Sequence, residues 1–169
     1  MTPPDFPAGE YGAEPNPPHQ RRAELIAEIE RLPARVNQLV ANLSAAQVER
    51  RYKKWTVRQI VHHLADSHMN AFVRFRLTLT EDRPTIKPYD ETRWAELLDT
   101  RTADVSLSLK LLDALHARWV LLMGSMTDAD WERSYLHPEY QKEFRLAEAL
   151  GLYAHHGRHH TGQIEWLLR

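Results

Sequence analysis

Two histidine clusters stand about ninety residues apart in this chain: His62, His63 and His68 in the first, His155, His156, His159 and His160 in the second. Seven of the ten histidines fall in these two short windows, and the chain has no cysteine. Any metal must therefore be held by nitrogen and oxygen, a donor set that suits zinc, nickel or iron. Three imidazoles on a divalent ion leave positions open, as in a catalytic rather than a closed structural site. An ion so held lowers the pKa of bound water to about 7, or strips the proton from a small thiol. The first chemistry is hydrolysis; the second is attack by sulfur on an electrophile.

The chain that must position these groups has 169 residues, enough for one domain with a proper core. Apolar residues make up 43% and charged residues 27%, a balance typical of soluble globular proteins. A net charge of −1 offers no field for nucleic acid or anionic lipid. The one basic run, Arg50-Arg51-Tyr52-Lys53-Lys54-Trp55, reads as a solvated turn ahead of a helix. No stretch is apolar enough to span a membrane, and no signal-peptide pattern opens the chain, so a cytoplasmic protein is expected.

Residues 2 to 18 contain six prolines, which exclude helix and predict an extended N-terminal arm over residues 1–18. Phe6 and Tyr11 suggest that the arm lies across the body. The domain proper is expected to span 19–169. Its first helix starts at His19, with Leu25, Ile29, Leu32, Val36, Leu39, Val40 and Leu43 at threes and fours and Pro33 as a kink or boundary. Ser44 with Gln47 forms a capping-box pattern for a short segment. Thr56 caps a second long helix that runs to about Thr80, where Pro84 and Pro88 open a long connection. One short helix around Trp94, Leu97 and Leu98 is expected there. A third long helix starts at Asp104 or Ser106 and runs to Met126; Thr127 to Asp130 opens a turn, and His137-Pro138 breaks the chain again. The last helix covers roughly Leu146 to Leu168. No β pattern of any length is visible. Four long helices with an extended crossover between the second and third predict an all-α four-helix bundle.

Helical geometry selects among the histidines. On the last helix His156 and His160 lie about 40° apart, within an apolar arc that also holds Ala149, Tyr153, Ile164 and Leu167. His155 and His159 fall about 100° or more from His160. A lone inward histidine is usually a satisfied core group, but two inward imidazoles one turn apart can reach a single ion. On the second helix the apolar arc centres near Leu64 and Phe75, which favours His68; His63 lies about 120° away and His62 further. Gly157, Arg158 and His159 separate the last-helix pair, so the glutamate of an HExxH peptidase helix is missing.

The segment Trp55-Thr56-Val57-Arg58-Gln59-Ile60-Val61-His62-His63-Leu64-Ala65-Asp66-Ser67-His68-Met69-Asn70 resembles the signature of the DinB superfamily, most closely its YfiT-like members. The ending from Gly151 to Ile164, the arm motif Gly9-Glu10-Tyr11, the stretch from Arg83 to Glu91 and Tyr135-Leu136-His137-Pro138-Glu139 are similar to the same group, so the resemblance covers nearly the whole chain. It implies an up-down-down-up bundle with a three-histidine metal site for zinc or nickel, and a protein that forms homodimers. The family's first ligand precedes Leu-Ala-Asp-Ser, which places it at His63; the last-helix pair falls on His156 and His160. Helix geometry and resemblance thus agree on two ligands. For the third the resemblance is followed, and His68 becomes a candidate for a supporting or substrate-facing role.

The YfiT-like group is described as metal-dependent hydrolases, and relatives are linked to bacillithiol or mycothiol transfer. The expected function is therefore a small-molecule metalloenzyme, with S-transfer of a low-molecular-weight thiol ahead of hydrolysis. No catalytic nucleophile stands out in the sequence. Tyr153, Phe72 and Trp119 could line a pocket for an apolar electrophile, although aromatics more often fill cores. Asp66 and Glu165 could support the histidines, with surface ion pairs as the blander alternative. The rival from another class is a non-catalytic, metal-stabilised binding module, which requires a fourth protein ligand such as His68.

Overall fold

The structure, a computed structural model, describes residues 2–169. The elements run α1 (His19–Val40), α2 (Ala45–Val48), β1 (Arg51–Tyr52), β2 (Trp55–Thr56), α3 (Val57–Thr80), α4 (Glu91–Trp94), α5 (Leu98–Thr102), α6 (Val105–Gly124), α7 (Asp128–Glu132), β3 (Ser134–His137), β4 (Lys142–Arg145) and α8 (Leu146–Leu167). Helices α1, α3, α6 and α8 form the bundle. Local chemistry sets the starts of α3 and α6, and of the short α2. Thr56 with Gln59 and Ser44 with Gln47 both complete capping boxes, and Asp104 accepts from the Ser106 amide to open α6. The crossover carries two short helices where one was expected.

Side-chain pairs give the helix directions. Glu28 meets Arg158 and Arg35 meets Glu165, so α1 and α8 run parallel. His63 meets His156 while Arg74 meets Tyr153, so α3 runs against α8. His62 meets Ser108, His68 meets His116 and Phe75 meets Trp119, so α3 and α6 run parallel. The order is up-down-down-up, with α1 packed on α6 and α8, and α3 packed on the same two. Two parallel neighbours cannot be joined by a short turn, which is why residues 81–104 must return along the length of the bundle.

Two small hairpins correct the expectation of no strand. β1 pairs antiparallel with β2 around Lys53, whose φ is 54°, and β3 pairs with β4 in the register Ser134↔Arg145 to His137↔Lys142. Strands of two and four residues are too short to show a period-two pattern against their flanks. β3 also fastens the crossover: the Leu136 amide donates to the Pro84 carbonyl at 2.9 Å and the Ile86 amide to the Leu136 carbonyl at 3.1 Å. His137 ends β3 and is buried, and the reversal lies between Pro138 and Gln141.

The N-terminal arm crosses α8. Pro7 lies against Gly162, the Tyr11 ring meets His155 at 5.2 Å, and the Tyr52 hydroxyl donates to the Pro4 carbonyl. The apolar core is in two blocks. One holds Leu25, Ile29, Phe72, Phe75, Trp119 and Leu150; the other holds Leu32, Val36, Ile60, Leu64, Leu112 and Ile164. Between them, at the level of the α1 residues 29–33, lies a layer of histidines.

Close approach of α1 and α8 depends on Gly157, where a Cβ would stand 2.8 Å from Leu32 Cδ2. Gly157→Leu is expected to destabilise the protein by about 1–3 kcal/mol through overpacking, read as a lower urea midpoint at unchanged slope. An unchanged midpoint would mean that the two helices part freely.

Candidate metal centre

His63 projects from the second turn of α3, and His156 and His160 project from successive turns of α8. His63 and His160 are buried and His156 is partly so. Their Nε2 atoms converge: His63 to His156 is 3.1 Å and His156 to His160 is 3.2 Å. One nitrogen from each of the three falls within 4.8 Å of the others, the one such group among the described residues. Trp55, fixed by the β1–β2 hairpin, packs on the His63 ring at 4.6 Å and the His160 ring at 6.1 Å.

The donor set fits a cation. Burial pushes His63 down to about 4, helped by the charges of Lys54 and His159. Burial also holds His156 and His160 well below the ordinary histidine range, with neighbouring histidines adding to the effect. All three imidazoles are thus neutral at pH 7. His160 donates from Nδ1 to Gln163 Oε1 at 2.8 Å, because an amide oxygen only accepts, so its Nε2 keeps a bare lone pair. Gln163 in turn donates from Nε2 to His159 at 2.9 Å. Buried lone pairs crowded together this closely repel unless a cation lies among them.

Two cavities open onto this point. One, of about 460 Å³, is lined by Arg74, Tyr89, Tyr135, His137, Tyr153 and His156. The other, of about 340 Å³, is lined by Lys53, Lys54, Trp55, His63, His159 and Gln163. His156 and Glu91 border both, so the histidine cluster sits at their junction. In the larger cavity Arg74 donates from Nη1 to the Tyr153 hydroxyl at 2.9 Å. Burial pushes Tyr89 up to about 12 and raises Tyr153, so both hydroxyls stay protonated.

The other candidates separate cleanly. His68 is fully buried behind His156, with its Nε2 3.3 Å from His156 Nδ1, and takes no place in the three-nitrogen group. His62 turns away to Ser108 Oγ at 2.7 Å. His155 packs on the arm. Glu165 pairs with Arg35 at 2.6 Å on the surface, and Asp66 makes no hydrogen bond to any histidine. Tyr153 lines a cavity, whereas Trp119 is wholly buried and Phe72 packs within the same apolar block. Sequence reasoning missed His116, Gln163 and Glu91. His116 carried a signal: it stands four residues after Leu112 and three before Trp119, on the inward face of α6.

A bundle of this order around a three-histidine cluster defines a class. A model of the DinB superfamily matches residues 28–164, and the chain belongs to that superfamily. Within it, the chain is 44% identical over 166 residues to a Bacillus subtilis protein named "Putative metal-dependent hydrolase YfiT", covering 97% of this chain and 93% of that one. A Bacillus mycoides protein of the same designation is 51% identical over 141 residues, covering 82% and 80%. The solved structure of Bacillus subtilis YfiT, described as an unusual four-helix bundle topology, superposes with a TM-score of 0.93 over 96% of this chain and 94% of that one. Mycothiol-dependent maleylpyruvate isomerase shares the fold at a TM-score of 0.65 and 15% identity, over 83% of this chain and 59% of that one.

Proposed function

We propose that His63, His156 and His160 hold a divalent ion, zinc or nickel, and that the protein uses it to transfer a bacillithiol-type thiol onto a small electrophile. The observation that carries this reading is the meeting of two cavities at one cluster of imidazole lone pairs. A two-substrate reaction needs two approaches to one centre; hydrolysis of a single substrate needs one. When bound, the ion supplies Lewis acidity that makes a thiol or a water acidic at neutral pH.

The chain's own groups would do the rest. Trp55 screens two imidazoles from water on one side. Arg74 makes no ion pair among the described residues and stands in the larger cavity beside Tyr153, where an acidic substrate group would be attracted. The non-catalytic module is less well supported, because both His68 nitrogens are already turned to His156 and His116. We further propose a cytoplasmic homodimer; no described helix is long and apolar enough to cross a membrane. Leu107, Leu111 and Leu121 lie exposed on one face of α6, the surface best suited to join two copies.

Hydrolysis is the second reading, and Glu91 is what favours it. This carboxylate borders both cavities and would serve as the base for water. A thiol acidified by the ion needs no such base. Wild type and Glu91→Gln, each loaded with zinc or nickel, should be assayed with bacillithiol and a chlorinated bimane. S-conjugation is expected in both, within about threefold, whereas loss of a general base costs about 10²–10⁴-fold. No conjugation by wild type, with ester or amide hydrolysis lost in Glu91→Gln, would replace thiol transfer by hydrolysis.

A further inference from the structure

Proline at position 33 interrupts α1, and its effect reaches beyond a kink. A proline has no N–H, and its ring pushes away the carbonyl four residues earlier. That carbonyl belongs to Ile29, and it lies at the level of the histidine layer. It is not left without a partner: His116 Nδ1 stands 2.6 Å from it, reaching across from α6. His116 Nε2 lies 2.9 Å from His68 Nδ1, and the two rings are stacked within 4° of parallel. His68 Nε2 lies 3.3 Å from His156 Nδ1. His156 Nε2 faces His63 and His160.

Each link in this chain has only one consistent direction. A carbonyl can only accept, so His116 must carry its proton on Nδ1. A neutral imidazole with Nδ1 protonated has a bare Nε2, which therefore accepts from His68 Nδ1. His68 Nε2 is then bare in turn and accepts from His156 Nδ1. The last ring is left with a lone pair on Nε2, directed at the other two ligands. Reversing any one ring would set donor against donor or acceptor against acceptor at a neighbouring link.

We propose that Pro33, His116 and His68 are positioning residues that fix the tautomer of His156 and so present its Nε2 lone pair to a metal ion. The relay rests on the reading of His156 as a ligand, but its proton arrangement can be measured without metal. Outer partners of this kind typically contribute tenfold to hundredfold to metal affinity. His160 reaches the same state by a different route, through Gln163. The two last-helix ligands are thus prepared independently.

The test combines nitrogen NMR of histidine-labelled protein, with and without zinc, and zinc affinity by competition with a chromophoric chelator. In wild type, Nδ1–H is expected on His116, His68 and His156, with unprotonated Nε2 on His116 and His68. His116→Leu should weaken zinc binding tenfold to hundredfold while the circular dichroism of the metal-free fold persists. Pro33→Ala, which leaves the histidines intact, returns a competing N–H to the Ile29 carbonyl. It should weaken binding several-fold without lowering the thermal midpoint, since removing proline from a helix interior favours the helix. An Nε2–H tautomer on His68 or His116 would overturn the relay, as would unchanged affinity in both variants. Failure of wild type to bind zinc or nickel, with the expected tautomers present, would instead overturn the reading of the cluster as a metal site.

Discussion

His156→Ala is expected to leave the purified protein without stoichiometric metal, and His63→Ala and His160→Ala should behave alike. His156 occupies the middle of the cluster, with its Nε2 3.1 Å from that of His63 and 3.2 Å from that of His160. Removing it leaves two nitrogens from opposite helices and no group between them to complete the set. Two imidazoles on a flexible, water-filled gap hold a divalent ion far less tightly than three preorganised ones. The effect should exceed the tenfold to hundredfold expected for an outer partner. His68→Ala therefore provides the internal comparison: it should bind more weakly than wild type yet still reach one ion per chain at saturating zinc. Elemental analysis after dialysis, followed by competition titration, ranks the four variants. Metal kept by His63→Ala and lost by His68→Ala would make His68 the third ligand.

That third position shows where the sequence stops being legible. Helix geometry puts His156 and His160 on one side of α8, and their Nε2 atoms do stand 3.2 Å apart. It discriminates less on α3, which touches α6 on one side, α8 on another and the crossover besides. His62, His63 and His68 are all buried there, so no single apolar axis separates them. The histidine that joins the three-nitrogen group is His63, near the α3–α8 seam, rather than His68 at the centre of the apolar arc. Only the resemblance to the DinB signature pointed to it. The bundle itself was readable because caps and breaks were explicit: Thr56 with Gln59, Asp104, and prolines at 84 and 88.

What the sequence hid depends on contacts between distant segments. The β3–β4 hairpin is four residues long on each side and gains its place by pairing with the crossover at Leu136. The last residue of β3, His137, lines a cavity that no local pattern foretells. Pro33 reads in isolation as a defect in α1. Its meaning appears only when His116, on a helix more than eighty positions later, is seen to take up the freed carbonyl. His116 alone could have been found earlier, since its spacing from Leu112 and Trp119 turns it inward.

Stripped of metal, the protein is expected to lose stability steeply on mild acidification, beginning near pH 6.5. Burial holds His63 at about 4 in the folded chain, while the unfolded chain takes up its proton near the ordinary value of 6.5. Between those two values the unfolded state binds more protons, so stability rises with pH across the window and falls as pH drops through it. For His63 alone the loss amounts to about 3 kcal/mol by pH 4. His68, His156 and His160 are likewise held well below the ordinary histidine range by burial and by neighbouring histidines, and each acts in the same direction. Asp66 opposes them. Burial and Asp99 raise it to about 6, so it favours the folded state as pH falls from that value towards the ordinary carboxylate range. One carboxyl does not offset four histidines, and a domain of this size has about 5–15 kcal/mol in total. Urea midpoints of chelator-treated protein should therefore fall continuously from pH 7 to pH 5, with cooperative unfolding before pH 4 is reached. Saturating zinc should move that transition to lower pH, because the ion binds only the deprotonated cluster of the folded chain. A flat stability profile between pH 7 and pH 5 would mean that the histidine layer is open to water and already protonates in the folded state. Such a layer could not hold three bare lone pairs together.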